Sequence, residues 1–202
     1  ANIGLVANWC GHHFAQANWY SFGRLAWNHQ LSSKEIAQEW LVLTFTHDPD
    51  FVETLTKVMM ESRQAVVDYM MPMGLHHLFA WGHHYGPEPW CDVSGARPDW
   101  LPSYYHKAGK FGIGFNRTSS GSNAVAQYAE PLRSIYEDPA LCPGEYLLWF
   151  HHLPWDYTLQ NGRELWDELC YRYSCGVERA KHFQRTWNLM EDKIDLQRFS
   201  DV

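Results

Sequence analysis

The chain has 202 residues and a formal net charge of −7, a length that suits one large domain or two small ones. Its basic residues are scattered, whereas a nucleic-acid-binding protein presents a basic patch, so we expect no nucleic-acid partner. No apolar stretch reaches the ~18 residues of a membrane span and no signal peptide opens the chain, so we expect no membrane insertion and a cytoplasmic location, with export as the alternative.

The balance of aromatic and charged residues is unusual. Aromatic residues make up 16% of the chain and charged residues only 19%, against about 25% charged residues in typical domains. This composition predicts that part of the surface faces a partner domain, a second copy or a ligand, and a large aromatic core is the alternative. The five cysteines, an odd number without C-x-x-C spacing, indicate reduced, mostly buried thiols in a cytoplasmic protein.

The first predicted helix covers about residues 11–28, and its apolar side chains on most sides are typical of a buried helix. The second begins with a capping box, Ser32 as N-cap and Glu35 three positions later. The pattern predicts an inner stripe of Ile36, Trp40 and Leu43 along it.

Asp48-Pro49 predicts the start of a third helix, an acidic N-cap followed by proline in the first turn. Apolar spacing continues this helix to a point before Pro72. The last predicted helix runs from Arg163 to about Ile194, where apolar residues recur at three and four positions. Asn161-Gly162 makes the turn ahead of it.

The segment between about residues 71 and 121 is interrupted by prolines and glycines, and long irregular segments inside a compact domain are generally functional. A second irregular strip, residues 142–157, is predicted to hold one or two helical turns before Pro154. The predicted fold class is therefore mainly α, a single helical domain over residues 1–202 with a long irregular loop region, rich in aromatic residues and histidine, at about 71–121.

Four pairs of adjacent histidines raise the question of a metal site: His12-His13, His76-His77, His83-His84 and His151-His152. Adjacent side chains diverge on a helix or a strand, so each pair offers one ligand at best, and the H-E-x-x-H motif is absent. We expect no metal. G-x-S-x-G is absent and Gly112-Ile113-Gly114 lacks the context of a dinucleotide site, so we expect no cofactor.

The irregular segments combine aromatic faces with imidazoles, groups that suit a carbohydrate ligand. The candidate substrate-binding residues are His76, His77, Trp81, His83, His84, Tyr85, Trp90 and Trp155.

Glycoside hydrolysis requires two carboxylic acids. If the chain is active alone, the candidates are Glu88, Asp92, Asp99, Glu145 and Asp156. Glu88 lies between two prolines beside Trp90, a setting that can raise the pKa of a carboxyl group by desolvation. A solvated loop acid is the alternative at each position, so whether the chain is an enzyme stays open.

Several segments together resemble the C-terminal domain of the α-glucuronidases of glycoside hydrolase family 67. The resemblance is carried, in order, by residues 8–20 (NWCGHHFAQANWY), 22–28, 74–77, 83–87, 104–106, 112–115, 126–128, 148–157 (LWFHHLPWDY) and 174–202. It implies a mainly helical domain that packs on a catalytic (β/α)₈ barrel, helps to wall the active site and mediates homodimerisation.

The resemblance also implies an enzyme that removes 4-O-methyl-glucuronic acid from xylo-oligosaccharides or glucuronoxylan without a metal. The family's catalytic carboxylates lie on the barrel, which this chain lacks, so no catalytic residue is carried over.

Two alternatives stay open. The chain is itself a xylan-active hydrolase of the xylanase or xylosidase type that uses its own carboxylate pair, or it is a non-catalytic xylan-binding module that stacks sugar rings on Trp81, Trp90, Trp100 or Trp155. Asn116-Arg117-Thr118 also matches a glycosylation sequon, which matters only in a secreted protein.

Overall fold

The computed structural model describes residues 13–76, 78, 97, 99 and 101–202. The chain divides into two compact units, residues 1–64 with 178–202 and residues 65–177. Within the described ranges there are helices, turns and isolated β-bridges but no β-strand, which confirms the mainly α class. The single domain over 1–202 stays a prediction.

The described helices are α1 (His13–Trp27), α2 (Ser33–Thr44), α3 (Pro49–Met70), α4 (Pro102–His106), α5 (Leu132–Glu137), α6 (Leu147–Phe150), α7 (Leu165–Asn188) and α8 (Leu196–Ser200). Three 3₁₀ turns accompany them, Pro72–Gly74, Ala124–Gln127 and Glu191–Lys193. No helix in these ranges is long and apolar enough to cross a membrane.

An aromatic cluster forms the core of the first unit. The ring of Phe14 on α1 lies 5.4 Å from Trp40 and 5.7 Å from Trp187, centroid to centroid, and Phe51 at the start of α3 is fully buried. The prediction that α1 is buried is wrong. Only Ala17 of this helix is fully buried, and Phe22 and Trp27 are exposed, because the core covers a single stripe of the helix.

The predicted capping box of α2 is confirmed. The backbone N–H of Glu35 donates to Ser32 Oγ, and the Glu35 carboxylate accepts the backbone N–H of Ser32 at 2.8 Å. Ile36 and Trp40 are buried as predicted, but Leu43 is exposed. Leu41 is buried instead, so the buried face of α2 includes Leu41 and leaves Leu43 outside it.

The start of α3 is also confirmed, since Asp48 Oδ1 accepts the backbone N–H of Phe51 at 2.8 Å. The last predicted helix ends earlier than Ile194, at Asn188. A 3₁₀ turn follows, and Asp195 caps a separate helix by accepting the backbone N–H of Arg198. The backbone of Ile194 is extended, with φ −138° and ψ 166°, so the α-helix does not reach it.

Buried aliphatic and aromatic side chains of α6 and α7 form the core of the second unit. Leu148 and Leu165 are fully buried, and Phe150 stacks on Tyr136 with ring centroids 4.4 Å apart. α6 is the helical turn predicted before Pro154. Much of the predicted irregular region at 71–121 lies outside the described residues, so its detail stays a prediction.

Candidate functional site

The predicted substrate-binding residues divide between described and undescribed parts of the chain. His77, Trp81, His83, His84, Tyr85 and Trp90 lie outside the described residues, as does Trp100. His76 is half-buried with its ring centroid 4.7 Å from that of Tyr105. Trp155 is half-buried, donates from Nε1 to the Gly109 carbonyl at 2.8 Å, and meets Trp166 edge to face. These two residues stay candidates.

The candidate carboxylates divide in the same way. Glu88 and Asp92 lie outside the described residues. Asp99 pairs with Arg97 at 2.6 Å, while Glu145 and Asp156 are exposed. Among the described residues the structure gives neither Glu145 nor Asp156 a polar side-chain partner. A solvated acid and an acid that is ion-paired on the surface have neither the burial nor the neighbours that tune a catalytic carboxyl group.

Two glycines allow two loops of the second unit to run against each other. Gly112 and Gly114 have φ angles of +148° and +104°, and a Cβ on Gly114 would lie 2.2 Å from the His151 carbonyl oxygen. Backbone hydrogen bonds join Ile113 to Leu153 in both directions, and the Arg117 N–H donates to the Phe150 carbonyl at 2.8 Å. The close approach places the Arg117 side chain beside Trp149 of α6.

We call the group of Tyr104, Tyr105, Lys107, Phe115, Arg117 and Trp149 the Arg117 cluster. Arg117 Cζ lies 3.8 Å from the ring centroid of Trp149, 4.6 Å from Phe115 and 5.3 Å from Tyr105. Its Nη1 donates to the Trp149 carbonyl. Lys107 Nζ lies 5.2 Å from the Tyr104 centroid and 5.4 Å from the Phe115 centroid.

The Arg117 side chain is charged and only 8% exposed. Burial lowers the pKa of the guanidinium, which still stays protonated near neutral pH. No carboxylate within the described ranges pairs with it. Cation–π contacts with three rings offset part of the desolvation cost.

Two buried histidines flank this cluster. His106 Nε2 donates to the His76 carbonyl, which links α4 to the predicted histidine run. His151 is buried, and its Nε2 has no hydrogen-bond partner. Burial lowers the pKa of both imidazoles, so both are neutral at pH 7. By contrast, the neighbouring His152 is exposed and its Nδ1 bonds to the Gly114 carbonyl at 2.8 Å.

The two buried histidines make the stability of the chain depend on pH. Because their pKa values are lower in the folded state, the unfolded state binds more protons once the pH falls through about 6.5. The free energy of unfolding is therefore at its full value above about pH 6.5 and falls below it. At one pH unit below, the loss is at most about 1.4 kcal/mol per histidine. Urea unfolding at pH 7.5 and 5.5 measures the difference. His151→Gln should remove part of it, and an equal pH dependence in the parent protein and in His151→Gln would contradict the assignment.

The described residues include three cysteines and no cluster of side chains that suits a metal ion. No group of three His, Cys, Asp or Glu side chains among the described residues could hold a metal ion. Cys142, Cys170 and Cys175 are free thiols. Cys142 is buried, Cys175 is half-buried and Cys170 is exposed, so the prediction of mostly buried thiols is wrong for the described cysteines. Burial raises the pKa of Cys142 to about 11, so this thiol is protonated and unreactive at neutral pH.

Sequence reasoning missed the arginine at the centre of the cluster. It treated Arg117 only as the middle residue of a sequon, and Trp149 only as part of a resemblance. The one signal available was that Arg117 lies two positions after Phe115, in a segment that also holds Tyr104 and Tyr105. The sequence around Arg117 does not show which distant residue its side chain contacts. Trp149 is 32 positions away.

The model of the glycosyl hydrolase family 67 C-terminus matches residues 10–202. The chain belongs to this family.

Individual relatives agree. The chain is 34% identical over 204 residues to alpha-glucuronidase A of Emericella nidulans, with 100% of this chain and 23% of that protein aligned. It is 33% identical to a probable alpha-glucuronidase A of Aspergillus clavatus and 32% identical to one of Aspergillus flavus, each aligned over 24% of its length. The chain thus spans about a quarter of the length of the relatives it matches.

Proposed function

We propose that the chain acts as the non-catalytic C-terminal region of an α-glucuronidase that removes glucuronic acid side groups from xylo-oligosaccharides or glucuronoxylan. The observation that carries the proposal is the family match over nearly the whole chain, together with relatives about four times as long that are named alpha-glucuronidases. In this account the acid and base lie in the catalytic barrel, and this region completes the wall of the active site.

The exposed apolar side chains of the first unit favour an interaction with another domain or chain. Trp27 is 87% exposed, and Trp19, Phe22 and Leu43 are exposed as well. Large exposed apolar side chains of this kind mark interaction surfaces when they form contiguous patches. We assign them to contacts with the catalytic barrel and with a second copy in a homodimer.

The alternative of a stand-alone hydrolase has less support. The three described candidate acids, Asp99, Glu145 and Asp156, are solvated or ion-paired, whereas such hydrolysis needs an acid of raised pKa beside a second carboxylate. A cytoplasmic location belongs to the proposal too, and the three free thiols of the described chain suit a reducing compartment.

Product analysis of the isolated chain tests whether it has chemistry of its own. The purified protein is incubated with glucuronoxylan and with xylo-oligosaccharides that carry glucuronic acid, beside the variants Glu88→Gln and Asp156→Asn. We expect no sugar release above an enzyme-free blank from any of the three. Released xylose or glucuronic acid that disappears in either variant would contradict the proposal and favour a stand-alone hydrolase.

A further inference from the structure

A tight turn ahead of α7 brings two tryptophans of the second unit together. Two backbone segments pair across the turn, because the Leu159 N–H donates to the Arg163 carbonyl at 2.9 Å and the Trp166 N–H donates to the Trp155 carbonyl at 3.0 Å. Gly162 allows the reversal with a φ of +80°, a conformation that favours glycine. The backbone therefore fixes Trp155 and Trp166 as neighbours.

The two indole rings meet almost at a right angle. Their centroids lie 5.3 Å apart and the angle between the ring planes is 82°. Trp155 is held in place, because its Nε1 donates to the Gly109 carbonyl at 2.8 Å and its ring packs against the buried core of the second unit. A ring that is already held in one orientation loses little conformational entropy when a ligand contacts it.

Trp166 supplies the open face of this pair. It lies on the first turn of α7 and is 55% exposed, whereas the preceding Leu165 is fully buried. Its Nε1 has no hydrogen-bond partner among the described residues, although a tryptophan N–H that is withdrawn from water normally has one. The pair therefore presents an exposed aromatic face and an unused hydrogen-bond donor on the same side chain.

The groups near the two rings favour a neutral sugar as the ligand. The C–H groups of a sugar ring pack on the electron-rich face of an indole, and sugar hydroxyls both donate and accept hydrogen bonds. The Trp166 Nε1–H is a donor, and Asp156, the exposed residue after Trp155, offers an acceptor. Asp156 would repel an acidic sugar, and Arg163, the cation of the same turn, already pairs with Glu168 at 3.3 Å.

We propose that Trp155 and Trp166 form a subsite for a neutral xylose ring of the xylan chain, with the sugar packed in the corner between the two indoles. The inference rests on the proposed function and adds where this region holds the part of the substrate that carries no glucuronic acid. The competing occupant is an apolar side chain of a protein partner, which would use neither the free indole N–H nor the Asp156 carboxylate.

Titration of the 202-residue chain with xylohexaose tests the subsite, followed by the ¹H–¹⁵N signal of the Trp166 Nε1–H group. The absence of this signal from Trp166→Phe assigns it. Hexagalacturonate is the acidic ligand of the same length, with a carboxylate on every sugar. We expect a saturable shift with xylohexaose and binding at least about tenfold weaker with hexagalacturonate. Equal affinity for the two ligands, or no binding of xylohexaose, would overturn the proposal.

Variants, each titrated with xylohexaose by calorimetry, separate recognition from folding. Trp166→Ala removes an exposed side chain, leaves the fold intact and should weaken binding at least about tenfold, because the stacking face is lost. Trp166→Phe keeps an aromatic face without the N–H donor and should weaken binding about threefold. Trp27→Ala, the same change at an exposed tryptophan of α1, should have no effect. Affinity that is unchanged in a folded Trp166→Ala, or reduced equally in Trp27→Ala, would reject the assignment.

Failure of this subsite and failure of the proposed function give different results. Absence of xylohexaose binding overturns the subsite and assigns the two rings to a protein partner, and it leaves the proposed function standing provided that the isolated chain releases no sugar. Release of sugar that disappears in Glu88→Gln or Asp156→Asn would instead remove the proposed function, and with it the reason for choosing xylose as the ligand.

Discussion

Gly114→Ala should destabilise the chain by about 3–5 kcal/mol, a large effect for a single methyl group. The substitution places a side chain at φ +104° and brings its Cβ to 2.2 Å from the His151 carbonyl oxygen. Backbone atoms cannot move aside as a flexible side chain does, so the two loops must separate, and the cost combines backbone strain with a steric clash. Urea unfolding measures it.

Two other glycines are matched controls for this change. Gly162 has φ +80° with nothing within 4 Å of an added Cβ, so Gly162→Ala should cost only the conformational strain of about 1–2 kcal/mol. Gly144 has neither a positive φ nor a close neighbour, and its alanine variant should lie within about 0.5 kcal/mol of the parent protein. A Gly114→Ala protein no less stable than Gly162→Ala would show that the loops do not approach as described.

Phe150→Ala should cost about 3–5 kcal/mol, because the residue is buried at the centre of the second unit. Its side chain is 3% exposed, stacks on Tyr136 and meets Tyr128 edge to face. Truncation removes the buried ring and leaves a cavity that its neighbours fill only in part. The free energy of unfolding from urea titration gives the cost.

Phe111→Ala is the control for this prediction, since it removes the same atoms from a side chain that is 78% exposed. It should change stability by less than about 0.5 kcal/mol. If Phe150→Ala were as mild as Phe111→Ala, α6 would not form the centre of this core.

The sequence predicts the local structure of the chain well where a helix end has its own chemical signature. Ser32 with Glu35 and Asp48 with Pro49 satisfy exposed backbone N–H groups through side chains close in the sequence, so the starts of α2 and α3 could be predicted. Periodicity alone ran past Asn188, because Met190 and Ile194 keep the helical spacing of apolar residues although a 3₁₀ turn separates them.

Long-range arrangement was much harder to predict. Burial is favourable for an apolar side chain, but the sequence does not show whether another part of the chain packs against it. The exposed Leu43 and Trp27 illustrate this limit. The Arg117 cluster depends on the close approach of Gly114 to His151, which brings together residues more than 30 positions apart. Such contacts arise from tertiary packing, and no short motif encodes them.

The most direct test of the central claim joins this chain to the catalytic part of a relative. The C-terminal region of the Emericella nidulans alpha-glucuronidase that aligns with this chain is deleted, and residues 1–202 take its place. Release of glucuronic acid from an acidic xylo-oligosaccharide is then compared between the truncated relative and the chimaera. We predict that the chimaera is about 100-fold more active, the scale of loss that follows when a site is left misplaced. A folded chimaera no more active than the truncated relative would contradict the claim that this chain completes an α-glucuronidase.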